Sequence, residues 1–225
     1  MNEAAAVKRT YDRIGGSFER NVKSDSLDKK YIEKFLGYLK PGQLVLDAGS
    51  GTGSVAAEMT EKYRLRVVAI DVSRKMKNIA KKHFPGIDYR LMDLRRLKFP
   101  NGYFDAVFAM YSLIHVREEE VPDALAGFYR VLKPGGWLYL ALQEPVNQKQ
   151  QDRRYPVVYK QDAKLFINVF RKAEIAQYLR DAGFEIISSS RRLPDRKTEF
   201  PFKKLFIIAK RSEQNDDQES KSKRR

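Results

Sequence analysis

The sequence predicts a doubly wound α/β fold: a mostly parallel sheet of seven strands with the last one reversed, preceded by an N-terminal helical cap. Three observations carry this expectation. Short apolar runs alternate with charged segments of helical spacing through the middle of the chain, the pattern of a parallel sheet covered on both faces. A glycine-rich turn follows the first of these runs directly. The last two apolar runs are joined by a polar loop too short for a helical crossover, so they pair antiparallel.

Each element has its own signal. Residues 1–40 read as two helices. The second, near Leu27–Leu39, places Leu27, Tyr31, Phe35, Leu36 and Leu39 on roughly one face and stops at Pro41-Gly42. The strand runs are QLVLDAG, RVVAID, IDYRLMDL, FDAVFAMYS and WLYLALQ. Between them lie the helical segments SVAAEMTEKY, SRKMKNIAKKHF with Ser73 as N-cap, and EEEVPDALAGFYRVL closed by KPGG. FRKAEIAQYLRDAGF reads as a helix stopped by Gly183, followed by the strands EIISSSRRL and KLFIIAKR. The expected organisation is a cap over 1–40, a core over 41–211 and a charged tail of disordered composition over 212–225. Within the core, 144–170 is an insertion of weak periodicity.

Composition narrows the function. There is no cysteine, which excludes a disulfide framework, a thiolate metal site and a cysteine nucleophile. No window approaches the run of about 18 apolar residues that a membrane span needs, and the start is polar, so a soluble cytoplasmic protein is expected. The formal net charge is +15. The last fifteen residues hold five basic and four acidic side chains, leaving +14 on the body. Such a surface suits nucleic acid, anionic lipid or an acidic substrate. Scattered lysines with interspersed acids favour plain solvation instead.

The stretch LVLDAGSGTG, Leu44 to Gly53, carries the first chemical signal. Glycines between a strand and a helix allow a tight turn and a close ligand approach, and the helix start favours an anionic group. A dinucleotide cradle would read G-x-G-x-x-G; here Gly49, Gly51 and Gly53 give G-x-G-x-G after Asp47. No G-K-[S/T] follows, which excludes a Walker-type phosphate loop. Asp71 ends the second strand, where a carboxylate can accept both ribose hydroxyls. Asp93 ends the third, where it can accept from an adenine amine.

Three successive strands ending in aspartate at one crevice resemble the class I S-adenosylmethionine-dependent methyltransferases, most of all the small-molecule branch called type 11 or UbiE-like. VLDAGSGTG, AIDVS, MDL, FDAVFAMYSLIHV and RVLKPGGWLYLAL carry the resemblance. It implies a Rossmann-like fold, S-adenosyl-L-methionine as cofactor and a small-molecule methyl acceptor. By position it implies that Asp47, Gly49, Gly51 and Gly53 carry the methionine part and Asp71 the ribose. Asp93 and Leu94 then face the adenine, with Val72 packed on its ring. Met76 and Met110 are placed with this cofactor set. The acceptor site is expected beyond the fourth strand, which makes 144–170 an acceptor-side insertion or lid.

A general base is needed only for an acceptor with a proton of high pKa. His115 is the candidate, one of two histidines; His83 sits at a helix end as surface structure. The resemblance gives Tyr11 a lid role in the N-terminal helix. Tyr111 and Glu144 are candidates for the acceptor pocket, and Tyr155, Tyr159, Phe166 and Phe170 for an apolar lid. Two alternatives stand beside a small-molecule enzyme. One is an RNA methyltransferase using the basic surface. It lacks the [N/D]-P-P-[Y/F] tetrad of amino-group enzymes, since AMYS stands there, and it lacks the cysteine of carbon-5 enzymes. The other is a non-catalytic protein that binds the cofactor and acts through a partner. A nicotinamide dehydrogenase is disfavoured by the glycine spacing.

Overall fold

The computed structural model describes residues 3–19, 27–147, 154–159 and 163–213. Two helices lead, α1 (Glu3–Glu19) and α2 (Lys29–Leu36). Then come β1 (Leu44–Ala48), α3 (Ser54–Glu61), β2 (Arg66–Asp71), α4 (Arg74–His83) and β3 (Asp88–Leu91). β4 (Phe104–Met110) leads through the short turns Leu113–His115 and Glu118–Glu120 into α5 (Val121–Val131) and β5 (Leu132–Glu144). The hairpin β6 (Arg154–Tyr159) and β7 (Ala163–Asn168) precedes α6 (Lys172–Asp181), β8 (Phe184–Arg192) and β9 (Lys203–Arg211).

Seven strands form one sheet in the order β3-β2-β1-β4-β5-β9-β8. The first five pair in parallel, and β9 runs antiparallel to both neighbours, β5 and β8. The doubly wound sheet with a reversed last strand is therefore present, with that strand inserted between β5 and β8. The order reverses between β1 and β4. A crevice at the carboxyl ends of these strands is where such sheets bind ligands.

Burial alternates across the sheet as a strand's period of two requires. Leu46, Val107 and Ala109 face the core under α5 and α6, with Leu125, Phe128, Ile175 and Leu179. Val45, Ala106 and Phe108 face the core under α2 and α3, with Phe35 and Met59. α1 lies outside these layers and packs against α4. Ser73 caps α4 as expected, its hydroxyl accepting from the Met76 N–H at 3.1 Å.

Two expectations need correction. Leu27 precedes α2 and is 58% exposed, so the helix buries Ile32, Phe35 and Leu36 instead. The weakly periodic 144–170 segment contains an antiparallel hairpin whose second strand alternates: Leu165 and Ile167 are buried and Phe166 is exposed. From residue 214 onward, the segment read as a tail lies outside the described residues. Among the described residues, no helix is long and apolar enough to cross a membrane, and no cluster of three His, Asp or Glu could hold a metal.

Candidate active site

A cavity of about 820 Å³, including the space at its mouth, opens at the carboxyl ends of the parallel strands. Four strand ends and α1 wall it. Gly49 comes from the turn after β1, Asp71 and Val72 from the end of β2, and Met92, Asp93, Leu94 and Arg95 from beyond β3. Met110, Tyr111, Ser112, His115 and Val116 come from the end of β4, and α1 adds Val7 and Tyr11.

The glycine turn is left-handed at all three glycines, with φ of +88° at Gly49, +54° at Gly51 and +80° at Gly53. Two of them make room for the protein itself. A Cβ on Gly49 would meet Ser112 Cβ at 2.3 Å, and one on Gly53 would meet Tyr89 Oη at 2.5 Å. Only Gly51 has open space beside its Cα. Asp71 clasps this turn: its Oδ2 accepts the Gly51 N–H at 2.9 Å and its Oδ1 the Ser73 N–H at 2.8 Å. The Val72 N–H also acts on this carboxylate, and of its roughly four lone-pair sites capacity remains for a ligand hydroxyl. Burial pushes the Asp71 pKa up, against the lowering effect of these backbone bonds. Asp47, behind the turn, is pushed up to about 7 by burial and then by the charge of Asp71.

Asp93 is gripped by Arg95, whose Nη2 lies 2.6 Å from Oδ2 and whose Nε lies 3.1 Å from Oδ1. Arg95 also donates to Glu120 at 2.7 Å. The pair fixes the loop after β3, so that Met92, Val72 and Leu94 present apolar surface to the cavity.

On the other side Tyr11 Oη lies 2.9 Å from His115 Nε2. His115 Nδ1 lies 3.3 Å from the carbonyl oxygen of Phe166, which can only accept, so Nδ1 carries the proton. Nε2 is then the acceptor and the Tyr11 hydroxyl donates to it. Burial pushes the His115 pKa down to about 4, so the ring is neutral at physiological pH.

Tyr111 is the first residue beyond β4 and has φ of +51°, a strained conformation for a bulky side chain. Its hydroxyl donates to Asp28 Oδ2 at 2.7 Å. Asp28 in turn accepts from Arg192 at 2.6 Å, and Arg192 pairs with Glu199 at 2.6 Å. Burial, followed by the charge of Asp28, pushes the Tyr111 pKa up, keeping the phenol protonated.

The structure therefore brings together Gly49, Asp71, Val72, Asp93, Leu94, Met110, Tyr111, His115 and Tyr11. Other anticipated residues lie off the cavity wall. Asp47, Gly51 and Gly53 stand behind it, and Met76 is buried in α4. Glu144 is buried and held by Arg191 at 2.5 and 2.6 Å. Phe170 is core, while Phe166 contributes a backbone carbonyl to His115. The side chains of Tyr155 and Tyr159 lie outside the described residues. His83 is exposed. Sequence reasoning missed Arg95, Asp28 and Ser112. The Ser112 hydroxyl is buried, without a hydrogen-bond partner, and belongs to the cavity wall. An orphaned donor, a hydroxyl-accepting carboxylate and apolar loops on one cavity fit the nucleoside cofactor that the resemblance implies.

The family described as "Methyltransferase domain" matches residues 45–136. Over 144 residues the chain is 35% identical to a ubiquinone/menaquinone biosynthesis C-methyltransferase UbiE of Desulfotalea psychrophila, covering 60% of this chain and 57% of that protein. Over 193 residues it is 28% identical to phosphoethanolamine N-methyltransferase 3 of Arabidopsis thaliana, covering 81% of this chain but 36% of that protein. The chain thus spans about a third to just over half of these two relatives. Its fold matches the Burkholderia thailandensis 1,6-didemethyltoxoflavin-N1-methyltransferase, solved with bound 1,6-didemethyltoxoflavin and S-adenosylhomocysteine, at a TM-score of 0.71 and 20% identity over 93% of this chain and 88% of that one.

Proposed function

We propose that this chain, which belongs to the class I S-adenosylmethionine-dependent methyltransferases, transfers a methyl group from that cofactor to a small-molecule acceptor. The observation that carries this reading is the Tyr11–His115 hydrogen bond on the wall of the cavity that also holds Asp71 and Asp93. When bound, S-adenosylmethionine supplies a methyl group already activated on a sulfonium. The chain's own residues then have three tasks. Asp71 and the apolar loop residues Val72 and Leu94 hold the nucleoside end. Val7, Tyr11 and Val116 keep water from the reacting end. Tyr11 orients the nucleophile: its proton is committed to His115 Nε2, so its oxygen lone pairs can accept an acceptor's N–H or O–H.

Alignment of this kind supplies most of what a reaction with an activated donor needs, about 7–11 kcal/mol in well-oriented cases. With a pKa of about 4, protonating His115 at pH 7 costs about 4 kcal/mol. The pair therefore orients a nucleophile in the ground state. His115 can take up the phenol proton as the acceptor's own proton passes to Tyr11.

The test is a transfer assay with methyl-labelled S-adenosylmethionine and a cell lysate, fractionated by size and treated with RNase. Label in the low-molecular-weight fraction is the expected result. Label in RNase-sensitive material would replace this reading with an RNA methyltransferase. α4, which carries Arg74, Lys75, Lys77, Lys81 and Lys82 and no acid, would then be the first surface to probe. Failure of the protein to bind S-adenosylhomocysteine, with Asp71→Ala having no effect on ligand-induced stabilisation, would sink both.

A further inference from the structure

Asp12 follows Tyr11 on α1, and it is bonded to the start of α4, just after Val72 of the cavity wall. Its Oδ1 accepts the buried Ser73 hydroxyl at 2.6 Å and the Lys75 backbone N–H at 3.0 Å, while Oδ2 accepts Lys8 at 2.7 Å. Ser73 is the cap of α4, and its own N–H is bonded to Asp71. A carboxylate at that helix start is favoured by charge as well as by hydrogen bonding. Two adjacent residues of α1 therefore tie it down on two sides: Tyr11 to the turn after β4, and Asp12 to the loop after β2.

The helix so held is weak in its C-terminal third. Gly15 and Gly16 lie inside α1, where glycine lowers helix propensity. Gly15 has a packing reason, since a Cβ there would meet Lys75 Cγ at 2.5 Å, where α1 crosses α4. Gly16 has none: a Cβ there meets nothing within 4 Å and its φ is negative.

We propose that Asp12 is a positioning residue, a latch that closes α1 over the cavity, sets Tyr11 against His115 and limits how fast ligand leaves. Gly16 keeps the latch reversible by holding α1 near its melting point. The ligand side of this inference rests on the methyltransferase reading; the latch itself is a property of the free protein. Closure over the cavity by a helix that must open for exchange is the usual way a lid sets turnover.

Asp12→Ala removes both bonds to α4 while raising the intrinsic helix propensity of α1. Asp12→Asn keeps Oδ1 and serves as the rescue. Gly16→Ala strengthens the helix without touching the latch. Two measurements decide the matter: hydrogen exchange of α1 amides in the ligand-free protein, and the release rate of S-adenosylhomocysteine. In Asp12→Ala, α1 amides are expected to exchange roughly tenfold faster with the sheet amides unchanged, and release to be roughly tenfold faster. Asp12→Asn should fall between this variant and wild type. Gly16→Ala should slow both by about fivefold, the equivalent of one good helix former in place of glycine. The latch is overturned if α1 exchange is unchanged in Asp12→Ala, or if Asp12→Ala and Gly16→Ala shift release in the same direction. If the wild type does not bind S-adenosylhomocysteine, the methyltransferase reading falls, and α1 exchange alone still decides the latch.

Discussion

Asp47→Asn tests the electrostatics behind the glycine turn. The Asp47 carboxyl is buried near the end of β1 and pushed up to about 7 from an ordinary 3.8, by burial and then by the charge of Asp71. Because the folded value lies above the unfolded one, the folded state holds this proton more tightly. The stability it contributes is fully present below pH 3.8 and is lost as pH rises through about 7. Linkage between those two values gives a loss of roughly 2–3 kcal/mol between pH 5 and pH 8. Asparagine has the same shape and does not titrate. Asp47→Asn is therefore expected to gain that much on the wild type over this range. Urea unfolding of both proteins without ligand, at pH 5 and pH 8, measures it, and titrating groups that do not interact with Asp47 cancel in the difference. A difference between the two proteins that stays flat from pH 5 to pH 8 refutes the argument. A cationic ligand should act the other way. By favouring ionised Asp47, S-adenosylmethionine should bind the wild type with proton release near pH 7, and Asp47→Asn with less, read by calorimetry in buffers of different ionisation enthalpy.

Three further substitutions separate structure from chemistry. Tyr11→Phe should lower turnover by about 10–100-fold while leaving the affinity for S-adenosylhomocysteine within about threefold, measured by initial rates and titration calorimetry. Gly49→Ala should destabilise by at least about 2 kcal/mol more than Gly51→Ala in denaturant unfolding, since both are left-handed but only the first meets a neighbour, Ser112, at 2.3 Å. Asp28→Ala strands the Tyr111 hydroxyl and leaves Arg192 to Glu199 alone, and should cost about 1–3 kcal/mol of stability; an unchanged melting temperature would show that this network holds nothing.

The sheet was legible because its central strands β1, β2, β4 and β5 hold short apolar runs, and helices separate β1 from β2, β2 from β3 and β4 from β5. The hairpin β6–β7 was not. Its second strand buries Leu165 and Ile167 and exposes Phe166, and because all three are apolar the sequence shows no alternation there. Ser112 left no signal, since a buried serine hydroxyl facing a cavity looks like any other serine. Met76 and Glu144 were drawn into the site by their nearness to strand ends. Met76 belongs to the packed face of α4, and Glu144 to a salt bridge with Arg191.

The division between what could and could not be read has a physical origin. The half of the cavity walled by the ends of β1 to β3 is local: Gly49, Asp71 and Asp93 each sit at or just beyond a strand end, and parallel pairing brings successive strand ends side by side. Spacing along the chain therefore reports spacing in the crevice. The half walled by α1 and the turn after β4 is not local. Tyr11 and His115 are 104 residues apart, Tyr111 and Asp28 are 83 apart, and Asp28 and Arg192 are 164 apart. Only the fold sets those distances, through an N-terminal helix that lies outside the two core layers. A substitution that loosens α1 should thus disturb catalysis before it disturbs the sheet. Asp12→Ala is the sharpest case, because Asp12 ties that helix to the start of α4 through Ser73 and Lys75.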